Sequence, residues 1–312
     1  MNLKQGTKIS LFIFLLIVFF CFGALLGGKL NSQTNGPKWR SFIFNETSLF
    51  DKYLLHREIS TTFKTTLLPT KCPNEYLGVV GFGQSNISNR VVREKGLIKP
   101  LDNVYMWDWT NGKCYPYSEP LVGTDGENRG NVITDMVINI RASSKEQPIL
   151  IAPMAMGGSS VFMWYGGFQK YRLDEFLKKA DEAELNFKYW IWIQGETDSI
   201  PELYLPNKIL AFGSDRAEMN QTYKDALNFI FDRIKHFQPS AVFGVSLTTV
   251  CNNSGNNFIR KGQNEIINSR EDSYLTLDTD NLDNTFRSDG CHFNEKGSQV
   301  IGMSLADFVI SH

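Results

Sequence analysis

The sequence predicts an α/β domain built around a central, mainly parallel sheet, and three observations carry that prediction. Short apolar runs alternate with longer amphipathic stretches through most of the chain, which is the pattern of strands joined by crossover helices. Several of the apolar runs empty directly into glycine or polar turns, as strands of an open parallel sheet do at the end where ligands bind. A chain of 312 residues, 42% of them hydrophobic, has enough apolar material to cover such a sheet on both faces.

Taken in order, the chain opens with Lys4 and Lys8, followed by an uncharged stretch over 9–28. Its apolar core, 11–26, is longer than the usual signal-peptide core and slightly short of a bilayer span. No small-x-small cleavage site follows, because exits at Gly27 and Gly28 put Leu25 or Leu26 at the minus three position. Segment 1–28 is therefore expected to be an uncleaved transmembrane helix, with a cleaved signal peptide as the alternative. Residues 29–72 are polar with scattered aromatics and no clear period, and read as a stalk partly packed on the domain. The domain proper is expected over 73–312. Strands are predicted near 76–81, 103–107, 148–153, 187–193, 241–247 and 273–277, and helices near 130–142, 172–184, 215–236, 258–269 and 295–310. The last helix has its N-cap in Asn294, with Glu295 in the first turn.

The richest chemistry lies in Asp289-Gly-Cys-His292. An Asp and a His three apart on a turn can set carboxylate against imidazole, which is the base half of a nucleophilic hydrolase. The other histidines are less well placed: His312 is the last residue, His56 has no periodic context, and His236 sits near a helix end where a cation suits the dipole. A serine to match is Ser85, in Gly81-Phe-Gly-Gln-Ser-Asn-Ile87 directly after the apolar run Tyr76-Leu-Gly-Val-Val80. Serines in such turns are usually caps, but here Gly83 permits a tight turn and the strand aims the hydroxyl outward. The second glycine of the G-x-S-x-G elbow is missing, which argues against the α/β-hydrolase fold. Ser85 is expected to attack an ester carbonyl, His292 to take its proton, and Asp289 to orient His292. Two further strand exits, Ile149-Leu-Ile-Ala-Pro-Met-Ala-Met-Gly-Gly-Ser-Ser160 and Trp190-Ile-Trp-Ile-Gln-Gly-Glu-Thr-Asp198, are placed to meet them in one crevice. Glu196 and Asp198, only two apart, read as loop braces and not as a glycosidase acid pair.

In chain order, Gly83-Gln-Ser-Asn86, Gly157-Gly158-Ser159, Gln194-Gly-Glu-Thr-Asp198 and Asp289-x-x-His292 resemble the SGNH hydrolases of the sialate O-acetylesterase and carbohydrate esterase family six type, over roughly residues 75–310. The resemblance implies a three-layer α/β/α sandwich of flavodoxin-like type. It implies a serine esterase that removes O-acetyl groups from sialic acid or a polysaccharide through an acetyl-enzyme, with no cofactor and no metal. It further implies an oxyanion hole made by the N–H of Ser85, the N–H of a glycine in the second block and the side-chain amide of Gln194. Residues alone leave Gly157 and Gly158 open, and Gly158 is chosen. General SGNH enzymes often carry asparagine where this chain has Gln194. The same triad serves a polysaccharide O-acetyltransferase, and a decayed one a carbohydrate-binding domain; both stand as alternatives.

A net charge of −1 supplies no basic field for nucleic acid. The expected partners are an acetylated carbohydrate and, through the N-terminal helix, a membrane, with the domain outside the cytoplasm. Asn86, beside the nucleophile, and Trp164, just after the glycine turn, are expected to bind substrate, the tryptophan by carrying the apolar face of a sugar. Trp107 and Trp109 are weaker candidates, and Trp190 and Trp192 read as core. Cys72, Cys114, Cys251 and Cys291 allow three disulfide pairings, of which Cys251 with Cys291 would brace the catalytic loop. Of the sequons at Asn45, Asn86, Asn220 and Asn252, a glycan on Asn86 would block the pocket.

Overall fold

The structure is a computed structural model, and it describes residues 66–127, 129–143, 146–199 and 216–312, the side chains of 216–219 excepted. The expected membrane segment and most of the stalk fall outside the described residues, among which no helix is long and apolar enough to cross a membrane.

The chain runs β1 (Leu77–Gly83), β2 (Val104–Asp108), β3 (Lys113–Pro116), α1 (Val132–Ser143), β4 (Ile149–Pro153), α2 (Val161–Tyr165), α3 (Phe168–Glu182), β5 (Tyr189–Ile193), α4 (Glu196–Ser199), α5 (Arg216–Phe237), β6 (Val242–Leu247), α6 (Asn257–Ser269), β7 (Ser273–Asp278) and α7 (Glu295–Ser311). Strand side chains alternate between two cores, because successive residues of a strand point to opposite faces. In β5, Trp190 and Trp192 enter one core while Tyr189, Ile191 and Ile193 enter the other. β1 and β4 divide in the same way, Val80, Phe82, Leu150 and Ala152 joining the tryptophans and Val79, Ile149 and Ile151 joining the aliphatic side. Residues of α3, α5 and α6 close the aromatic core, and residues of α1 and α7 close the aliphatic one, so the sheet is the middle of three layers.

The seven strands lie in the order β3-β2-β4-β1-β5-β6-β7, and all pairs are parallel except β2 with β3. β1 is therefore central, with β4 on one side and β5 on the other. The chain leaves β1 toward one edge of the sheet and later returns to build the other, which makes the carboxyl end of β1 a topological switch point where crevices form. Register carries three segments to the same level there. Gly83 pairs with Ile193, the N–H of Gln84 bonds the Ile193 carbonyl at 3.0 Å, and the N–H of Met156 bonds the Gly83 carbonyl at 3.1 Å. Gly83 has φ +128°, and a Cβ there would lie 2.3 Å from the Ile193 carbonyl oxygen, so the close approach of β1 to β5 requires glycine.

Six strands and five helices stand where the sequence places them, within a few residues. Three elements were not anticipated. β3 is an antiparallel edge strand after the turn at Asp108–Gly112, and four residues with one proline carry too little alternation to announce it. α2 and α4 are helices of five and four residues, too short to show a period. Two cystines form among the four cysteines, Cys72–Cys114 and Cys251–Cys291. The first fastens 66–72 to the sheet edge, where the N–H of Thr70 also bonds the Cys114 carbonyl at 2.8 Å.

Candidate active site

At the carboxyl ends of β1, β4 and β5 lies a cavity of about 280 Å³, lined by Gln84, Ser85, Arg90, Gly157, Gly158, Glu196, Thr197, Cys251, Cys291 and His292. Ser85 and His292, read from opposite ends of the chain, thus face one cleft. Ser85 begins a 3-10 turn, Ser85–Ile87, tied back by a hydrogen bond from the Ser88 hydroxyl to the Ser85 carbonyl at 2.9 Å. The Ser85 hydroxyl makes no hydrogen bond among the described residues; bonds between nucleophile and base are commonly long until substrate tightens them.

The loop that carries His292 is held by its own residues. Oδ1 of Asp289 accepts the N–H groups of Cys291 (3.0 Å) and His292 (2.7 Å), while Oδ2 bonds Nδ1 of His292 at 2.7 Å. One carboxylate therefore sets both the turn and the ring, and leaves Nε2 as the free ring nitrogen. Partial burial opposes ionisation of Asp289, but the bonds from the His292 ring and the two N–H groups outweigh it and hold the carboxyl below its ordinary range. Gly290 takes φ +79° at the tip. Three anchors fix the loop to the domain: the cystine to Cys251, the Asn252 N–H on the Gly290 carbonyl at 2.9 Å, and Nη1 of buried Arg287 on the Cys291 carbonyl at 2.7 Å.

Asn86, expected to face the substrate, lies outside the cavity lining. It is 2% exposed, and its amide is consumed by a bond to Glu196, a bond to the Cys291 carbonyl at 3.3 Å, and acceptance of the Phe293 N–H at 3.2 Å. It joins the turn of Ser85 to the backbone on either side of His292. This also buries the sequon amide. Burial raises the pKa of Glu196 above its ordinary value, and the hydrogen bond from Asn86 only partly offsets that.

Trp164 is a second correction. It is fully buried, donates from Nε1 to the Ser159 hydroxyl at 2.9 Å, and packs edge-on against Phe82 and Trp192. The cause is α2, whose single turn rotates the ring inward, away from the cleft. Trp107 and Trp109 are fully buried as well, and among the described residues no Trp, Tyr or Phe lines the cavity.

The glycine pair divides by hydrogen bonding. The N–H of Gly157 bonds Oδ2 of Asp125 at 2.9 Å, whereas the N–H groups of Gly158 and Ser85 donate no hydrogen bond among the described residues. Gly158 adopts φ +70°, and a Cβ on Gly157 would lie 3.7 Å from the Ser85 Cβ, so the turn abuts Ser85. Asp125 itself is flanked by Arg90 at 3.6 Å, a pair that residue patterns did not single out because both lie in loops without period.

Gln194, expected to turn its amide toward the cleft, lies behind its wall. Its amide nitrogen is bound to Oδ2 of Asp198 (2.5 Å), the Ser159 carbonyl (3.1 Å) and Oε1 of Gln84 (3.3 Å), and the side chain does not line the cavity. Its oxygen accepts from the Tyr223 hydroxyl at 3.0 Å, and burial keeps that phenol protonated by raising its pKa. Asp198 also accepts the Val161 N–H at 2.9 Å, so Asp198, like Glu196, braces loops, as expected from the spacing.

Similarity to known proteins lies in the family and the fold. A family model described as carbohydrate esterase, sialic acid-specific acetylesterase matches residues 79–311. No curated protein matches the chain. Among solved structures, a protein of Arabidopsis thaliana superposes with TM-score 0.60 at 17% identity, over 76% of this chain and 99% of its own. A candidate GDSL-like lipase of Parabacteroides merdae gives TM-score 0.50 at 11% identity, over 78% and 100%. A carbohydrate acetylesterase of Xanthomonas citri gives 0.47 at 14%, over 73% and 54%. The first two superpositions show a shared fold, and the family match, which runs from within β1 through all four sequence blocks, establishes membership. The chain belongs to the carbohydrate esterase, sialic acid-specific acetylesterase family.

Proposed function

We propose that the protein is a serine esterase that removes O-acetyl groups from an acetylated carbohydrate, a sialic acid or a polysaccharide. The observation that carries this reading is the pairing of Asp289 with His292 Nδ1 in the same cleft that Ser85 lines, beside the Ser85 and Gly158 N–H groups, which have no acceptor among the described residues. In the proposed reaction His292 Nε2 takes the Ser85 proton as Oγ attacks the acetyl carbon, and the carbonyl electron pair moves onto oxygen. The Ser85 and Gly158 N–H groups stabilise that oxyanion. Collapse expels the sugar oxygen, which takes the proton from His292, and leaves acetyl on Ser85. Water, activated by the same imidazole, then releases acetate. Asp289 stabilises the imidazolium throughout. The expected experiment is acetate release from a panel of acetylated sugars, together with labelling by a serine-directed fluorophosphonate. Acetate release, with the label on the peptide containing Ser85, supports the reading; a folded protein that releases no acetate and takes no label at Ser85 refutes it.

We also propose that the domain works outside the cytoplasm, delivered and tethered by segment 1–28. The two cystines support this, since such bonds persist in oxidising compartments. In intact cells, an added protease is expected to digest the domain; full protection of the domain until the cells are lysed would count against an outward-facing tether.

A further inference from the structure

Gln84, the residue immediately before the nucleophile, was singled out only as part of its block, yet it forms part of the cleft wall while being 2% exposed. Its backbone is fixed on both sides, the N–H on the Ile193 carbonyl at 3.0 Å and the carbonyl under the Ile87 N–H at 3.1 Å. The orientation of its amide follows from groups that have only one hydrogen-bonding role. The Thr197 N–H, which can only donate, points at one corner at 3.2 Å, so that corner is oxygen. The Gln194 amide meets that same corner at 3.3 Å, and it too must present nitrogen, because its other neighbours are the Ser159 carbonyl and the Asp198 carboxylate. With Oε1 pinned by two donors, Nε2 of Gln84 is the corner left over. It has no acceptor among the described residues, and it belongs to a side chain that lines the cavity next to Ser85.

We infer that Gln84 Nε2, and not the Gln194 amide, is the side-chain donor of the oxyanion hole, completing a set of three with the N–H groups of Ser85 and Gly158. This assignment rests on the esterase reading above. In the step concerned, the Ser85 Oγ–carbon bond forms, the carbonyl π pair moves to oxygen and the serine proton goes to His292; Gln84 donates a hydrogen bond to the new oxyanion and transfers no proton. Gln194 and Asp198 are positioning residues that act through Gln84. Two aligned amides, one buried and one at the wall, hand the orientation of Asp198 and Ser159 on to the cleft.

The test uses 4-nitrophenyl acetate, which has no sugar hydroxyl for Gln84 to bind, so that a loss of rate reports on the acyl centre. Gln84→Met removes the donor at nearly constant shape. Gln84→Glu keeps the oxygen that Thr197 and Gln194 hold, and so preserves the fold contacts while removing the same donor. Both are expected to lower kcat by about 100- to 1,000-fold with little change in KM, and to slow phosphonate inactivation of Ser85 by a similar factor, because that adduct is tetrahedral. Gln194→Met is expected to cost less than either. The inference is overturned when a folded Gln84 variant, by melting temperature, keeps kcat within about threefold of the parent, or when Gln194→Met costs more than both. It is likewise overturned when loss appears only as a raised KM for acetylated sugars, which would make Gln84 a sugar contact. A parent protein without Ser85-dependent turnover fails the esterase reading itself, and is told apart from those outcomes by the parent assay alone.

Discussion

Replacing Ser85 with alanine is expected to lower kcat by about 10⁶-fold, and replacing Asp289 with asparagine by about 10⁴-fold. The difference between the two is informative. Alanine at 85 removes the atom that forms the covalent bond, so only the oxyanion donors and binding remain to act on water. Asparagine at 289 leaves the bonds from the Cys291 and His292 N–H groups to Oδ1 in place, and so preserves the turn. What it changes is the partner of Nδ1: an amide nitrogen facing the ring favours the tautomer with its proton on Nε2, which cannot accept from serine. Steady-state rates on 4-nitrophenyl acetate, with melting temperatures to show that both variants fold, decide the matter. An Asp289→Asn variant within about tenfold of the parent would mean that Asp289 builds the loop and does no more.

The second large effect is on stability. Asn86→Ala is expected to destabilise the domain by on the order of 3 kcal/mol, because it strips the buried Glu196 carboxyl and the Phe293 N–H of their partner at once. Cys291 keeps its bond from Arg287, so the cost concentrates at Glu196 and at the residue after His292. Glu196 adds a pH signature. Burial raises its pKa in the folded chain, so the native state holds a proton that the unfolded state releases first. Its contribution is full below the ordinary glutamate pKa and is lost as pH rises through the raised one. In urea unfolding, the parent's midpoint is expected to fall across that window, and Glu196→Gln, which keeps an oxygen for Asn86, to lack the fall. A parent and variant with parallel pH profiles would show that Glu196 ionises normally.

The His loop was legible in the sequence because its defining bonds are local: Asp289 holds the N–H groups of Cys291 and His292 and the His292 ring, all within three residues, and the spacing encodes the turn. The place of Ser85 at a strand exit was legible because β1 is a clean apolar run. Strands buried on both faces were found for the same reason, Tyr189–Ile193 being apolar throughout. What was not legible depends on distant partners. Whether Gln84 or Gln194 faces the cleft depends on the Ser159 carbonyl, which meets Gln194 from another loop, and on the Thr197 N–H and Gln194 amide, which meet Gln84 from more than a hundred residues away. The burial of Trp164 follows from one turn of helix too short to show a period, and the fate of Asn86 from a carboxyl 110 residues away. Aromatic residues near a glycine turn suggest a sugar platform in the sequence, and in the fold they fill the core between sheet and helices.

The central place of β1 bears on when the enzyme can first work. The strand that delivers Ser85 is made first, and the strands on both of its flanks, β4 and β5, are made later. His292 follows the seventh strand, and α7, which covers the aliphatic face with α1, follows His292. A growing chain thus carries Ser85 for most of its synthesis without His292 or a complete sheet to hold it. On the proposed mechanism, chains broken off partway would be inert, and the appearance of hydrolysis would mark the docking of the last loop.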